Sequence, residues 1–138
     1  MTSNTKPIGV AYEDQNIIGP DFILSDSQLG YTANAQGSVT QLTDKTTAVT
    51  LNKSAGRITL NAAALGATTN VSFTLNNSLI STNDVLIVTL SGGIATAATY
   101  NCWVNSLSAG SASITLRNIS AGSLSEAVVI NFALIHCV

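Results

Sequence analysis

The chain has 138 residues, which suits one domain with a core of its own, and 46% of them are hydrophobic while only 9% are charged. Five basic and seven acidic residues give a formal net charge of −2 and form no basic patch, so we expect no nucleic-acid partner. Apolar runs fall far short of the roughly 20 residues that cross a bilayer, so we expect no membrane partner.

Residues 1–35 differ from the rest in composition and pattern. They contain four of the seven acidic residues and both prolines, and they show no strand-like alternation. We predict an extended N-terminal arm here. Its apolar groups are too many for a flexible linker and too few for a separate core, so we expect them to dock on this domain, a sister subunit or another protein. The predicted docking residues are Ile8, Val10, Tyr12, Ile17, Ile18, Phe22, Ile23, Leu24 and Tyr31. The start lacks a basic region followed by an apolar run, so we expect a soluble protein made in a cytoplasm.

From Gly37 onward, short runs rich in Val, Ile, Thr and Phe alternate with clusters of Gly, Asn, Asp and Ser, the pattern of strands and turns. The predicted strands span residues 38–43, 47–52, 57–61, 71–76, 84–90, 100–107, 113–118 and 127–137. In several, apolar residues such as Ile114 and Leu116 alternate with polar ones, which predicts antiparallel sheets with one face on a core. About eight short strands predict an all-β fold over residues 36–138, an antiparallel β-sandwich that is jelly-roll-like.

Two predicted strands, within residues 85–90 and 128–135, are apolar on both faces, so each is either a central strand or part of a subunit contact. Residues 85–138 carry only two formal charges, Arg117 and Glu126, whereas ordinary domains are about a quarter charged. The surface there must consist of hydroxyls and amides, or another protein must cover it. This pattern favours an assembly component over a free enzyme.

The single tryptophan, Trp103, has two interpretations. It suits a sugar-stacking platform, but an anchor in the core or at a subunit interface is the favoured role. The predicted oligomer-interface or core residues are Trp103, Phe132, Leu134 and Ile135.

Residues that could carry out catalysis are sparse. The only histidine, His136, adjoins Cys137, and neighbours on a strand point to opposite faces. Asp44 and Asp84 precede predicted strands, where carboxylates usually face solvent. We therefore predict no enzyme activity, no cofactor and no metal site. Cys102 and Cys137 are read as buried small hydrophobes, with a disulfide left open if they lie on neighbouring strands.

Three segments, Gly37–Lys53, Ile58–Leu65 and Asn118–Ile135, resemble a sequence found widely in virion structural proteins of tailed bacteriophages. They occur in the same order with similar gaps, and the resemblance covers about three quarters of the chain. It implies a non-enzymatic, β-rich, oligomeric module that decorates heads or forms part of fibres, with no catalytic residues.

The short chain leaves no room for a long fibre shaft. We therefore predict a capsid decoration, or cement, protein that binds the outer surface of the head and stabilises the shell after synthesis in the host cytoplasm. Its partners would be the major capsid protein and further copies of itself, a trimer by analogy with other β-rich virion modules, with a dimer left open. The alternative is a tail- or head-fibre-associated adhesin whose loops, such as residues 92–99, bind a host-surface glycan.

Overall fold

The computed structural model of the protein describes residues 30–137 and forms an all-β fold. After a short 3-10 turn at Ala33–Ala35, the strands are β1 (Gln36–Thr40), β2 (Val49–Thr50), β3 (Ala55–Thr59), β4 (Asn70–Asn76), β5 (Val85–Gly92), β6 (Tyr100–Ser108), β7 (Ser111–Asn118) and β8 (Val129–Ile135). The all-β class and the number of strands are confirmed. Residues 1–29 of the predicted arm lie outside the described residues.

The strands form two four-stranded sheets in a β-sandwich-like arrangement. Sheet A has the order β1-β3-β8-β5, and sheet B has the order β2-β4-β7-β6. The prediction of antiparallel pairing is right for β3-β8-β5 and for β4-β7-β6, but wrong for β1-β3 and β2-β4, which are parallel. The chain alternates between the sheets from β1 to β4. As a result β3 lies beside β1, and β4 lies beside β2, each parallel to its neighbour. Alternation of side chains has the same period in both kinds of pairing and cannot distinguish them.

The two sheets share one hydrophobic core, which the alternating residues of their inner faces supply. Ile114 and Leu116 on β7 are fully buried, as predicted. The inner face of β8 contributes Ile130, Phe132 and Leu134. β8 is therefore a central strand, whereas β5, the other strand with two apolar faces, lies at the edge of sheet A.

A buried asparagine holds together the loops that follow β3 and β7. The Asn118 side-chain amide donates to the carbonyls of Leu65, Gly66 and Gly122 at 3.0, 3.0 and 2.8 Å. Its Oδ1 atom accepts from the amide and the hydroxyl of Ser120. One buried neutral side chain thus joins the two loops through five hydrogen bonds.

Gln41 and Asn77 also form hydrogen bonds to the backbone of other loops with their side-chain amides. Gln41 donates to the carbonyls of Lys45 and Thr47 and accepts from the amide of Asn61. Asn77 donates to the carbonyl of Lys53 at 2.7 Å. All three amides are buried, so their hydrogen bonds are not exchanged for bonds to water.

Asn118→Ala should lower the free energy of unfolding by about 2–3 kcal/mol, because it removes five hydrogen bonds of a fully buried side chain and leaves a cavity. Asn105→Ala is the matched control, since Asn105 is exposed on β6. Chemical denaturation of both variants tests this. Equal stability of the two would show that Asn118 does not hold the loops.

Two glycines with positive φ allow a second comparison. At Gly93 (φ +68°) a Cβ atom would lie 2.0 Å from the backbone oxygen of Ala127, whereas at Gly110 (φ +78°) it would meet nothing within 4 Å. Gly110→Ala should cost about 1 kcal/mol for the left-handed backbone alone. Gly93→Ala should cost about 3 kcal/mol or more, since the backbone must also move. Denaturant midpoints of the two variants measure the difference, and similar midpoints would contradict the close approach at Gly93.

Candidate functional site

The outer face of sheet A carries an apolar strip, which we define as Val85, Ile87, Ala133 and Ile135. The β5–β8 register places Val85 opposite Ile135 and Ile87 opposite Ala133. Val85, Ile87 and Ile135 are 48%, 50% and 49% exposed, although Leu86, between the first two, points into the core. Burying such surface is worth about 25 cal/mol per Å², so covering the apolar strip is favourable.

The strip borders a free strand edge. β5 pairs with β8 on one side, and within residues 30–137 no strand pairs with its other side. Proteins usually protect such an edge with charges or proline, and residues 85–90 contain neither. A register shift between Leu90 and Gly92 interrupts the ladder only at the far end. The edge and the strip together suit contact with another polypeptide.

Of the predicted docking residues, only Tyr31 lies within the described part of the chain. Its hydroxyl donates to the carbonyl of Leu134 near the end of β8, and its ring is partly exposed. The other predicted docking residues, Ile8 to Leu24, lie outside the described residues. Among the predicted interface or core residues, Phe132 and Leu134 are buried in the core, while Ile135 belongs to the apolar strip.

Trp103 lies on the outer face of sheet B, which is built almost entirely from hydroxyls and amides. That face comprises Asn70, Ser72, Thr74 and Asn76 of β4, Ser111, Ser113, Thr115 and Arg117 of β7, and Asn101, Trp103, Ser106 and Ser108 of β6. Arg117 is its one charged residue. The low charge content of the sequence therefore corresponds here to a polar surface that is almost uncharged.

Trp103 is half-buried and stands directly opposite Thr115. Thr115 is only 4% exposed despite facing outward, because a large cross-strand neighbour covers it. The Thr115 hydroxyl also shares a 2.8 Å hydrogen bond with that of Ser72. Trp103 thus lies on the edge strand of sheet B, opposite one member of a hydrogen-bonded Ser72–Thr115 pair.

Asp84 is buried, which corrects the expectation that it faces solvent. Its carboxylate accepts from the Ser81 amide and hydroxyl, both at 2.8 Å, and from the Cys137 amide at 3.2 Å. His136 Nδ1 lies 3.0 Å from Asp84 Oδ2. The Ser81 amide, followed by the Ser81 hydroxyl, His136 and the Cys137 amide, lowers the pKa of Asp84, while burial acts in the opposite direction. Asp84 therefore holds the end of β8 against the turn before β5.

Ser81, Asp84 and His136 are not arranged to activate the Ser81 hydroxyl as a nucleophile. The Ser81 hydroxyl donates to Asp84 and not to His136, so the imidazole is not placed to take the hydroxyl proton. A spacing signal for the arrangement was present in the sequence, since Ser-x-x-Asp at residues 81–84 is typical of a side chain that closes a turn. The burial of Asp84 depends on the end of β8, which lies far away in the sequence.

A second polar cluster lies beyond the end of β3. Lys45 is buried, and its ammonium group donates to the carbonyls of Asn61 and Glu126. Burial lowers the pKa of Lys45, and the negative charge of Glu126 opposes that shift. Burial and the nearby Glu126 raise the pKa of Tyr100 to about 12. Glu126 Oε1 accepts from the amide of Ala95, so the cluster joins the four loops that carry Lys45, Asn61, Ala95 and Glu126.

The cysteines are both free. Cys102 lies on β6 in sheet B and is half-buried, and burial raises the pKa of its thiol. Cys137 follows β8 of sheet A and is exposed, so the prediction that it is buried is wrong. Residues 30–137 contain no group of three or more His, Cys, Asp or Glu residues placed to hold a metal ion.

A shallow depression of about 280 Å³ on sheet A is lined by Gln36, Gly37, Ala55, Gly56, Arg57, Asn131 and Phe132. None of its lining side chains is an exposed aromatic, because Phe132 is buried. No helix in the described part of the chain is long and apolar enough to cross a membrane. Comparisons with protein-family models, with curated proteins and with solved structures give no match.

Acidification tests the role of Asp84. A carboxylate with a lowered pKa stabilises the fold above its unfolded pKa of about 4 and loses that effect as the pH falls. Asp84→Asn should therefore lower the thermal midpoint at neutral pH and flatten its decline below pH about 4. Asp44→Asn is the comparison variant: the pKa of Asp44 is also lowered, but by Thr46 and Thr47 within its own turn, so its effect should have the same direction and a smaller size, because no distant segment is released. An Asp84→Asn melting profile parallel to that of the parent would contradict the assignment.

Proposed function

We propose that the chain is a structural protein of a tailed-bacteriophage virion, a capsid decoration protein that binds the outer head surface and stabilises the shell. The observation that carries the proposal is the apolar strip beside the free edge of β5. The resemblance of residues 37–135 to virion proteins supports the same assignment, and we propose that the β-sandwich-like arrangement of the two sheets is jelly-roll-like. The proposed partners are the major capsid protein and further copies of this chain.

The mechanism follows from mass action. A protein that binds the closed shell and not its separated subunits stabilises the shell in proportion to its occupancy. Contacts through Val85, Ile87 and Ile135 would exclude water from side chains that are about half exposed in the single chain. An oligomer would bind several capsid sites at once, so weak individual contacts would combine through effective concentration.

Copy number in purified virions tests this function. Quantitative mass spectrometry of particles from a phage that encodes the chain should give on the order of tens to hundreds of copies, because decoration follows the repeated capsid lattice. About a dozen copies or fewer would favour the tail-associated adhesin instead. Particles without the chain would contradict both virion functions.

Ile87→Lys tests the apolar strip. The ammonium group would lie on the free edge. It should weaken self-association or head binding by about tenfold or more, because covering it with a partner would remove a charge from water at a high free-energy cost. Ile119→Lys is the matched control, since Ile119 is 46% exposed but lies outside the strip. Sedimentation of the full chain, alone and with virion heads, provides both readouts.

Circular dichroism should be unchanged in both variants, because neither position belongs to the core. A parent chain that neither self-associates nor binds heads would contradict the assignment of the strip. Equal behaviour of the Ile87 and Ile119 variants would do the same.

A further inference from the structure

Trp103 and Arg117 are neighbours on the outer face of sheet B. Trp103 stands opposite Thr115, and Arg117 follows two residues later on the same face of β7, opposite Asn101. Diagonal neighbours of this kind on adjacent strands have Cβ atoms about 7 Å apart. A flat aromatic ring and a guanidinium group therefore lie side by side on one surface.

Arg117 carries an uncompensated charge within the described structure. The carboxylates among residues 30–137 are those of Asp44, Asp84 and Glu126. Each accepts hydrogen bonds elsewhere, from Thr46, Ser81 and Ala95 respectively. Arg117 is exposed and forms no ion pair with any of these three carboxylates. A guanidinium group of this kind matches a carboxylate, which it can bind through two parallel hydrogen bonds.

The surroundings of the pair are polar and neutral. Asn70 and Asn101 flank Arg117 on either side in the same row, and both are exposed. Ser72 and Thr115 continue the row of Trp103. A protein partner would require more apolar area than one indole, and nucleic acid would require several cations to contact its phosphates. Hydroxyls and amides around one aromatic ring instead suit a sugar, which has a flat C–H face and many hydroxyls.

We propose that this face binds an acidic glycan. In this assignment a sugar ring lies against the indole of Trp103, and the carboxylate of the same or the next sugar is bound by Arg117. Asn70 and Asn101 would hydrogen-bond the neighbouring hydroxyls. The site goes beyond capsid decoration, because shell binding through the apolar strip of sheet A does not require it.

Binding of the purified full chain to immobilised glycans tests the proposal. The probes are an oligogalacturonate and sialyllactose, with methyl-esterified oligogalacturonate and lactose as their uncharged counterparts. At least one acidic probe should bind about tenfold or more tightly than its counterpart, since the charged hydrogen bonds are lost in the latter. That preference should weaken as the salt concentration rises.

Variants assign the binding to the two side chains. Arg117→Gln should reduce affinity for the acidic probe about tenfold and remove the preference over its counterpart. Trp103→Ala should abolish binding, whereas Trp103→Phe should retain part of it because a flat ring remains. Arg57→Gln is the matched control, because Arg57 is exposed on sheet A opposite Asn131 with no exposed aromatic in its depression.

Failure of both acidic probes to bind would overturn the proposal, as would equal affinity of the Arg117 and Arg57 variants. Loss of self-association in Trp103→Ala, without glycan binding by the parent chain, would assign this face to a second copy of the chain instead. The outcome is independent of virion copy number and of the Ile87 variant, so failure of this site is distinguishable from failure of the proposed function.

Discussion

The fold depends on buried neutral amides that pair the backbone of its long connections. With only 9% charged residues, the chain has few ions with which to hold loops against the sandwich. Asn118, Gln41 and Asn77 satisfy carbonyls and amides that burial removes from water. The ammonium group of Lys45 does the same for two further carbonyls. The two sheets can therefore close over a hydrophobic core without an exposed ion-pair network among residues 30–137.

Closure of the sandwich leaves two outer faces with different chemistry. Sheet A exposes aliphatic side chains beside an unpaired edge, which suits a protein surface. Sheet B exposes hydroxyls and amides around Trp103 and Arg117, which suits a hydrated ligand. Because the faces lie on opposite sides of one core, a shell contact on the first would leave the second free. The proposed shell contact and the proposed glycan binding are thus compatible in one small domain.

The strands and the core were predictable because they follow from local periodicity. Ile114 and Leu116 could be assigned to the core from neighbouring residues alone, and turn residues marked the ends of the strands. The parallel pairs were not predictable, because direction depends on how the chain crosses between sheets. The burial of Asp84 was missed for a related reason, since its partners His136 and Cys137 come from a distant strand. The placement of Trp103 diagonally beside Arg117 likewise depends on the β6–β7 register, which alternation alone leaves open.

The strand order of sheet A also constrains how synthesis and folding are coupled. Its centre includes β8, the last of the described strands to leave the ribosome, and until then β5 has no partner in its sheet. β4, β6 and β7 complete their ladders earlier, by residue 118. A nascent chain would therefore carry a complete sheet B and an incomplete sheet A. In the latter, β3 and β5 would still lack β8, and unpaired strand edges favour aggregation. Products truncated before residue 129 would lack β8 and leave β3 and β5 without the strand that joins them, so sheet A could not close.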